Sequence, residues 1–125
     1  MEFDFRFTQA AIVIPAPQLP SSEIGACVEF QGIVRATERD AVLAGLQYEA
    51  YEEMALRELQ KIGDELAARY PCARLLFIHR LGWVPVGEAS LFIRILAAHR
   101  EEALAFCGEL INRMKQDVPI WKGSQ

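Results

Sequence analysis

Residues 89–115 read ASLFIRILAAHREEALAFCGELINRMK and contain the two patterns on which the fold depends. The first ten residues are almost entirely apolar and carry one charge, which predicts a strand over residues 89–98. Apolar residues then recur every three or four positions, which predicts a helix over residues 100–115. The apolar stripe of this helix consists of Ala103, Cys107, Leu110 and Met114. Together the two patterns indicate a sheet covered by helices.

Residues 25–35 read GACVEFQGIVR and alternate between two faces, as expected of a half-buried strand. Gly32 interrupts this strand and is typical of a β-bulge. A polar connection over residues 36–41 leads to another predicted strand at residues 46–50. The short separation favours a hairpin between these two strands.

The rest of the chain continues the alternation of strands and helices. An N-terminal strand with alternating phenylalanines precedes a proline-rich loop. Helical spacing predicts a helix over residues 52–70, which Pro71 ends. Residues 73–79 are predicted to form a short apolar strand, which a turn over residues 81–87 follows. The predicted order β-β-β-α-β-β-α indicates an α+β fold, with the helices packed on one face of a mainly antiparallel sheet. We expect a single domain over residues 1–125.

Composition and charge exclude several classes of protein. With 125 residues, 52% of them hydrophobic, the chain is large enough to bury a core and too apolar to be disordered. The net charge of −4 argues against a dedicated nucleic-acid-binding protein. No apolar run approaches the roughly 18 residues that span a bilayer, and Cys27, Cys72 and Cys107 form no CxxC pair. We expect a soluble, cytoplasmic protein whose cysteines are reduced and packed as small hydrophobic residues.

Two lysines near the end of the sequence are the first candidates for chemistry. Lys115 ends the second helix, and Lys122 follows Pro119, which stops that helix and turns the chain back. We expect Trp121 to be packed and to hold Lys122 near Lys115. Two neighbouring amines can stabilise negative charge or carry protons. The alternative interpretation is that both are solvated surface residues.

Arginines and histidines at strand ends are the second group of candidates. Arg35 ends a strand beside a polar loop, where binding groups often lie. His79-Arg80 follows one predicted strand, and His99-Arg100 follows another and opens a helix, where free backbone N–H groups favour an anion. Each also has an ordinary interpretation, as a histidine bonded to backbone or a solvated or ion-paired arginine. Two histidines are too few for a metal site, so we expect no metal.

Several motifs along the chain, taken in order, resemble those of one known family. They are GACVEFQGIVR at 25–35, LQYEAYEEMA at 46–55, IHRLG at 78–82, GE at 87–88, AHR at 98–100 and KQDVPIWK at 115–122. Their order and spacing are similar to those of the large, catalytic subunit of molybdopterin synthase. The resemblance covers residues 25–122, which is nearly the whole chain.

The resemblance implies an α/β-hammerhead-like fold with an additional small antiparallel sheet. It further implies a cytosolic enzyme of molybdenum cofactor biosynthesis. Such an enzyme moves sulfur from the C-terminal Gly-Gly thiocarboxylate of a small, ubiquitin-like carrier subunit to cyclic pyranopterin monophosphate, and so forms the dithiolene of molybdopterin. Two large subunits would form a central homodimer that binds two carriers in a heterotetramer. We expect no bound cofactor.

The resemblance also assigns roles to particular residues. Lys115 matches the family's essential lysine and Lys122 the lysine beside the carrier's C-terminus, so both are predicted to be catalytic. Arg35, with the preceding strand end, is expected to line the pterin pocket, and His99 with Arg100 to hold the anionic substrate. The full set of predicted substrate-binding residues is Ile33, Val34, Arg35, His99, Arg100, Lys115, Lys122, Gly123 and Ser124.

The sequence departs from the family pattern in two places and leaves two other functions open. The family commonly continues past the tryptophan with further charged residues, whereas here Lys122 is followed by Gly-Ser-Gln, so contacts made by such a tail are expected to be absent or replaced. The connection at residues 39–42 lacks a glycine that is common there.

The other functions are a non-catalytic homodimeric module that docks a ubiquitin-like tail, and a Schiff-base lyase that uses Lys115. Two close amines favour sulfur transfer over docking alone.

Overall fold

Nine strands and two helices make up the fold in the computed structural model, which describes residues 1–124. In chain order they are β1 (Glu2–Thr8), β2 (Ala26–Ile33), β3 (Thr37–Glu38), β4 (Ala41–Val42), β5 (Gly45–Ala50), α1 (Glu52–Arg69), β6 (Arg74–Arg80), β7 (Gly82–Pro85), β8 (Ala89–Ala97), α2 (Arg100–Asp117) and β9 (Ile120–Ser124). The predicted helices and the three predicted strands at 25–35, 73–79 and 89–98 are confirmed to within about two residues. Neither helix in the described part of the chain is long and apolar enough to cross a membrane.

The main sheet has four strands in the order β1-β6-β8-β2. β1 runs parallel to β6, while β6 and β2 both pair antiparallel with the central β8. The register between β2 and β8 shifts between Gly32 and Ile33, which confirms the predicted bulge. This bulge lies at the end of β2 that leads towards the candidate site.

Both helices pack on one face of the main sheet, as the sequence predicts. Their apolar stripes and the inward side chains of the strands form one core, in which Leu59, Phe77 and Phe106 are fully buried. Pro71 follows α1, and Pro119 follows α2 by one residue. The α+β prediction, with helices on the sheet, is therefore confirmed.

A second, small sheet contains three antiparallel strands in the order β7-β5-β9. It matches the additional small sheet that the family resemblance implies. Two local predictions were wrong here, because β7 lies where the sequence indicates only a turn, and β9 occupies the tail. Gly82 and Gly87, with φ of 83° and 88°, make the turns at either end of this region, and β7, which begins at Gly82, is free to pair.

The predicted hairpin between the strands at 25–35 and 46–50 is also wrong. β5 pairs with β7 and β9 instead of β2. Val34 instead continues the pairing of β2 towards β8, because its N–H donates to the Glu88 carbonyl and its carbonyl accepts from the Gly87 N–H. The edge that the predicted hairpin needs is therefore already occupied there, and β5 pairs with β7. The polar connection forms its own hairpin, β3-β4, closed by Arg39 and Asp40 in the left-handed region (φ of 50° and 66°).

Candidate active site

A cleft of about 580 Å³ opens where the end of the main sheet meets the small sheet and the last turns of α2. Its lining comes from β2, β5, β6, β8, α2 and β9, so that no two neighbouring elements could build it alone. The apolar part of the lining includes Phe30, Leu91, Ile111, Met114 and Ile120. These side chains are an extension of the core, which gives the cleft rigid walls.

Three cations from three different parts of the chain line this cleft. Arg35 follows the bulged end of β2, Lys115 lies in the last turn of α2, and Lys122 lies on β9. Lys122 is positioned by strand pairing, because it lies opposite Tyr48 of β5. Among residues 1–124, no carboxylate pairs with Arg35 or Lys115, so both charges are available to a ligand. The sequence prediction that these three residues share one site is supported by their common cleft.

Lys122 forms an ion pair with Glu38 of β3. The Nζ atom of Lys122 lies 2.5 Å from Oε1 of Glu38, and the hydrogen bond from Lys122 lowers the pKa of that carboxyl group. Glu38 was not among the site residues predicted from the sequence. Its local sequence is an ordinary polar loop, and only the folded hairpin brings it to the cleft.

His79 contributes a neutral, buried imidazole to the same cleft. The residue is 4% exposed, and burial lowers its pKa from the ordinary value, so the ring is uncharged at pH 7. Nδ1 lies 2.8 Å from the Arg80 carbonyl, which can only accept, so the proton is on Nδ1. Nε2 therefore carries the lone pair. The sequence indicated His79 as a strand-end residue, whereas the fold buries it between β1 and β8, with the Tyr48 ring centroid 5.1 Å from that of the imidazole.

The remaining predicted residues near the cleft have different surroundings. Ile33 lines the cleft and is about half exposed, whereas Val34 is buried in a small cluster and both of its backbone polar groups are already hydrogen-bonded. Gly123 is exposed on β9 and lies opposite Gln47. The backbone of Ser124 pairs with Leu46, and its side chain is outside the described part of the structure.

His99 and Arg100 do not reach the cleft of their own chain. They lie at the start of α2, whereas Lys115 lies in its last turn, fifteen residues further on. At a rise of 1.5 Å per residue, about 22 Å separates the two ends of the helix. The side chain of His99 is exposed, and its Nδ1 is 3.5 Å from the Glu102 carboxylate. Neither residue of this pair is therefore among the described residues that line the cleft.

Two further expectations about side chains are wrong. Trp121 is 49% exposed and makes an edge contact with Tyr51, so it does not anchor the tail by being buried. Pairing of β9 with β5 holds Lys122 instead. Cys27 is exposed on the outer face of β2, while Cys107 is buried as a small hydrophobic residue.

A second groove, of about 500 Å³, lies over β1, β6 and β8 beside the loop at residues 15–18. It also contains arginines, but each of them is neutralised by a carboxylate at 2.6–3.1 Å. The pairs are Arg6 with Asp4, Arg74 with Glu2, and Arg94 with Glu29. The cleft at Lys115 is the better anion site, because two of its three cations have no such partner within residues 1–124. Fold and site together define an α+β protein with a cleft suited to organic anions.

Comparison with known proteins agrees with this class. The family model described as "MoaE protein" matches residues 4–117, and the chain belongs to this family. A molybdopterin synthase catalytic subunit from Pyrococcus abyssi is 35% identical over 119 residues, covering 95% of this chain and 77% of the relative. The relative of that name from Drosophila mojavensis is 44% identical over 99 residues, covering 78% of this chain. The chain spans only 27% of that longer relative.

Solved structures show the same fold. Molybdopterin synthase from Staphylococcus aureus superimposes with a TM-score of 0.79 at 33% identity, covering 84% of this chain and 77% of that one. A complex of subunits 1 and 2 of the molybdopterin-converting factor from Helicobacter pylori gives a TM-score of 0.69 at 28% identity. This second match covers 82% of this chain and 66% of that one.

Proposed function

We propose that this chain is a catalytic subunit of molybdopterin synthase. It transfers sulfur from the C-terminal thiocarboxylate of a small carrier subunit to cyclic pyranopterin monophosphate, in the biosynthesis of the molybdenum cofactor. Family membership and the names of its relatives support this function. The same observations favour it over a docking module or a Schiff-base lyase.

The observation that carries the proposal is the composition of the cleft. Arg35, Lys115 and Lys122 face a volume of about 580 Å³ whose walls are otherwise largely apolar. Both reactants are anions, because one has a cyclic phosphate and the other a thiocarboxylate. Apolar walls suit the flat pterin ring system, while the cations suit the two charged groups. We assign the pterin side of the cleft to Arg35.

The two lysines supply the chemistry that sulfur transfer requires. Once the thiocarboxylate sulfur is bonded to the pterin, water attacks the acyl carbon and negative charge develops on its oxygen, which an ammonium group there stabilises. The carbon–sulfur bond then breaks, so that the sulfur stays on the pterin and the carrier ends in a carboxylate. The proton that has to move can be carried by an amine held in the same cleft. Lys122 lies on β9, an edge strand of the small sheet, and its side chain is about half exposed, so we assign it to the carrier's C-terminus and Lys115 to the reacting centre.

His99 and Arg100 contribute to the site only if a second copy of the chain supplies them. Their distance of about 22 Å along α2 excludes them from the cleft of the same chain. We therefore assign them to the neighbouring site in a homodimer, where Arg100 binds the substrate's phosphate at a helix N-terminus. Each dimer binds two carriers and works in the cytoplasm. The two-subunit complex from Helicobacter pylori supports a small partner subunit.

Reconstitution with a thiocarboxylated carrier and the pyranopterin tests the proposed function. The wild-type protein should form the dithiolene product, and Lys115→Ala should lose about 10²- to 10⁴-fold in rate. Lys61→Ala is the matched control, since Lys61 is exposed on α1 away from the cleft, and its rate should equal that of the wild type. Normal rates for a well-folded Lys115→Ala variant would contradict the assignment.

Mixing two inactive variants tests the shared site. Lys115→Ala and Arg100→Ala should each be inactive as homodimers, but a mixed dimer contains one site in which both residues are intact. Random exchange should restore roughly a quarter of the wild-type activity, because half of the dimers are mixed and one of their two sites works. No recovery after verified subunit exchange would place Arg100 and Lys115 in the same chain's site, or Arg100 outside it.

A further inference from the structure

Glu38 is the one carboxylate among the described residues that line the cleft or the small pocket next to it. The small pocket, of about 70 Å³, adjoins the cleft and shares Ile33, Arg35, Tyr48 and Lys122 with it. Every other charged side chain in the two linings is a cation. A negative charge at this position weakens an anion site, so it requires an explanation beyond substrate binding.

The contact that Glu38 makes is specific. Its Oε1 lies 2.5 Å from Nζ of Lys122, and its pKa is lowered mainly by that hydrogen bond. The side chain of Glu38 is 27% exposed and that of Lys122 is 52% exposed. Lys122, which lines the cleft, is thus paired with the Glu38 carboxylate, and both side chains are in contact with solvent.

The element that carries Glu38 is poorly anchored. β3 and β4 contain two residues each, and the turn between them holds Arg39 and Asp40 in the left-handed region. This conformation is unfavourable for residues other than glycine, and least so for asparagine and aspartate. A hairpin with two residue pairs can move without disturbing the main sheet or the small sheet, because it belongs to neither of them.

We infer that Glu38 occupies the position at Lys122 that the carrier's C-terminal carboxylate takes, so that the carrier has to displace it. The inference rests on the proposed function. The incoming group and the resident group are chemically alike, since each is a carboxylate or a thiocarboxylate with one negative charge. Binding therefore exchanges one ion pair for another at Lys122 and gains little net energy there.

This exchange has a consequence for turnover. A carrier that has given up its sulfur ends in an ordinary carboxylate, which still binds Lys122. Glu38 competes with that carboxylate and shortens the time for which the spent carrier stays bound. Glu38 thus lowers the affinity of the protein for the carrier and speeds the release of the spent carrier.

Calorimetric titration with the spent carrier, which ends in a Gly-Gly carboxylate, tests the inference without turnover. Glu38→Gln removes the competing charge and should lower the Kd by about two- to fivefold, as expected for an exposed ion pair. Glu49→Gln is the matched control, because Glu49 is exposed on β5 of the small sheet and lies outside the cleft lining. Its Kd should equal that of the wild type. Thermal unfolding of each variant checks the fold.

A carrier without its two terminal glycines provides the second comparison. It should bind wild type and Glu38→Gln equally, because it has no carboxylate that reaches Lys122. If Glu38→Gln binds the full carrier no more tightly than Glu49→Gln does, or if the truncated carrier shows the same gain, the inference is overturned while the proposed function stands. If the wild-type protein fails to bind the full carrier, the proposed function itself is contradicted.

Discussion

Lys115 and Lys122 line the same cleft, but different elements position them. Only the position of Lys115 can be explained from the sequence. The helix that carries Lys115 follows from its own spacing. The position of Lys122 depends on pairing with Tyr48, more than seventy residues earlier in the chain. Local patterns contain no information about that partner. For this reason the role assigned to Trp121 as an anchor was wrong, although both lysines line one cleft.

Burial of His79 predicts how stability depends on pH. The folded state holds the ring neutral and lowers its pKa below the ordinary value of 6.5, whereas the unfolded chain takes up the proton more readily. The unfolded state therefore binds more protons, and the free energy of unfolding should fall as the pH is lowered below about 6.5. His79→Gln should show a smaller fall between pH 7 and pH 5.

Chemical denaturation at several pH values measures this difference. The wild type and His79→Gln should differ in the slope of unfolding free energy against pH, beyond any constant offset in stability. His99→Gln is the matched control, because the His99 side chain is largely exposed, and its slope should follow the wild type. Equal slopes for all three proteins would show that His79 takes up its proton freely in the folded state.

Among the elements, the strands of the small sheet were the hardest to predict. β7 contains a glycine and a proline in four residues, and β9 follows a proline near the end of the sequence, so both have the composition of loops. They become strands because β5 offers them two free edges. Long helices and apolar strands of the main sheet, by contrast, show their periodicity locally, and their bounds were predicted closely.

The β3-β4 hairpin gives a prediction about stability. Asp40 has a φ of 66° at the second position of a two-residue turn, where glycine is preferred. Asp40→Gly should therefore raise the free energy of unfolding by about 0.5–1 kcal/mol, since relief of backbone strain outweighs the added entropy of the unfolded chain. Asp64→Gly, in the middle of α1, should lower it by about 0.3 kcal/mol, the difference between the helix propensities of the two residues. Thermal unfolding measures both, and destabilisation by both would contradict the strained turn.

On the scale of the whole molecule, the hydrophobic core and the candidate active site lie in different parts of the fold. The main sheet and two helices bury the core, and the cleft forms only where this unit meets the small sheet. The sequence predicted the α+β class and the three cations of the cleft. The predicted helix over residues 100–115 already placed Arg100 at its start and Lys115 at its end, but only the fold shows that the cleft lined by Lys115 does not include Arg100.

The protein has three lysines, and labelling them tests the central claim most directly. A carrier whose C-terminal carboxylate is chemically activated acylates any amine that lies beside its bound end. Mass spectrometry of the linked product should locate the new amide bond at Lys122 or Lys115, with little at Lys61, because only the first two line the cleft. Equal labelling of all three lysines would contradict the account, since it would mean that the carrier's end enters no organised site.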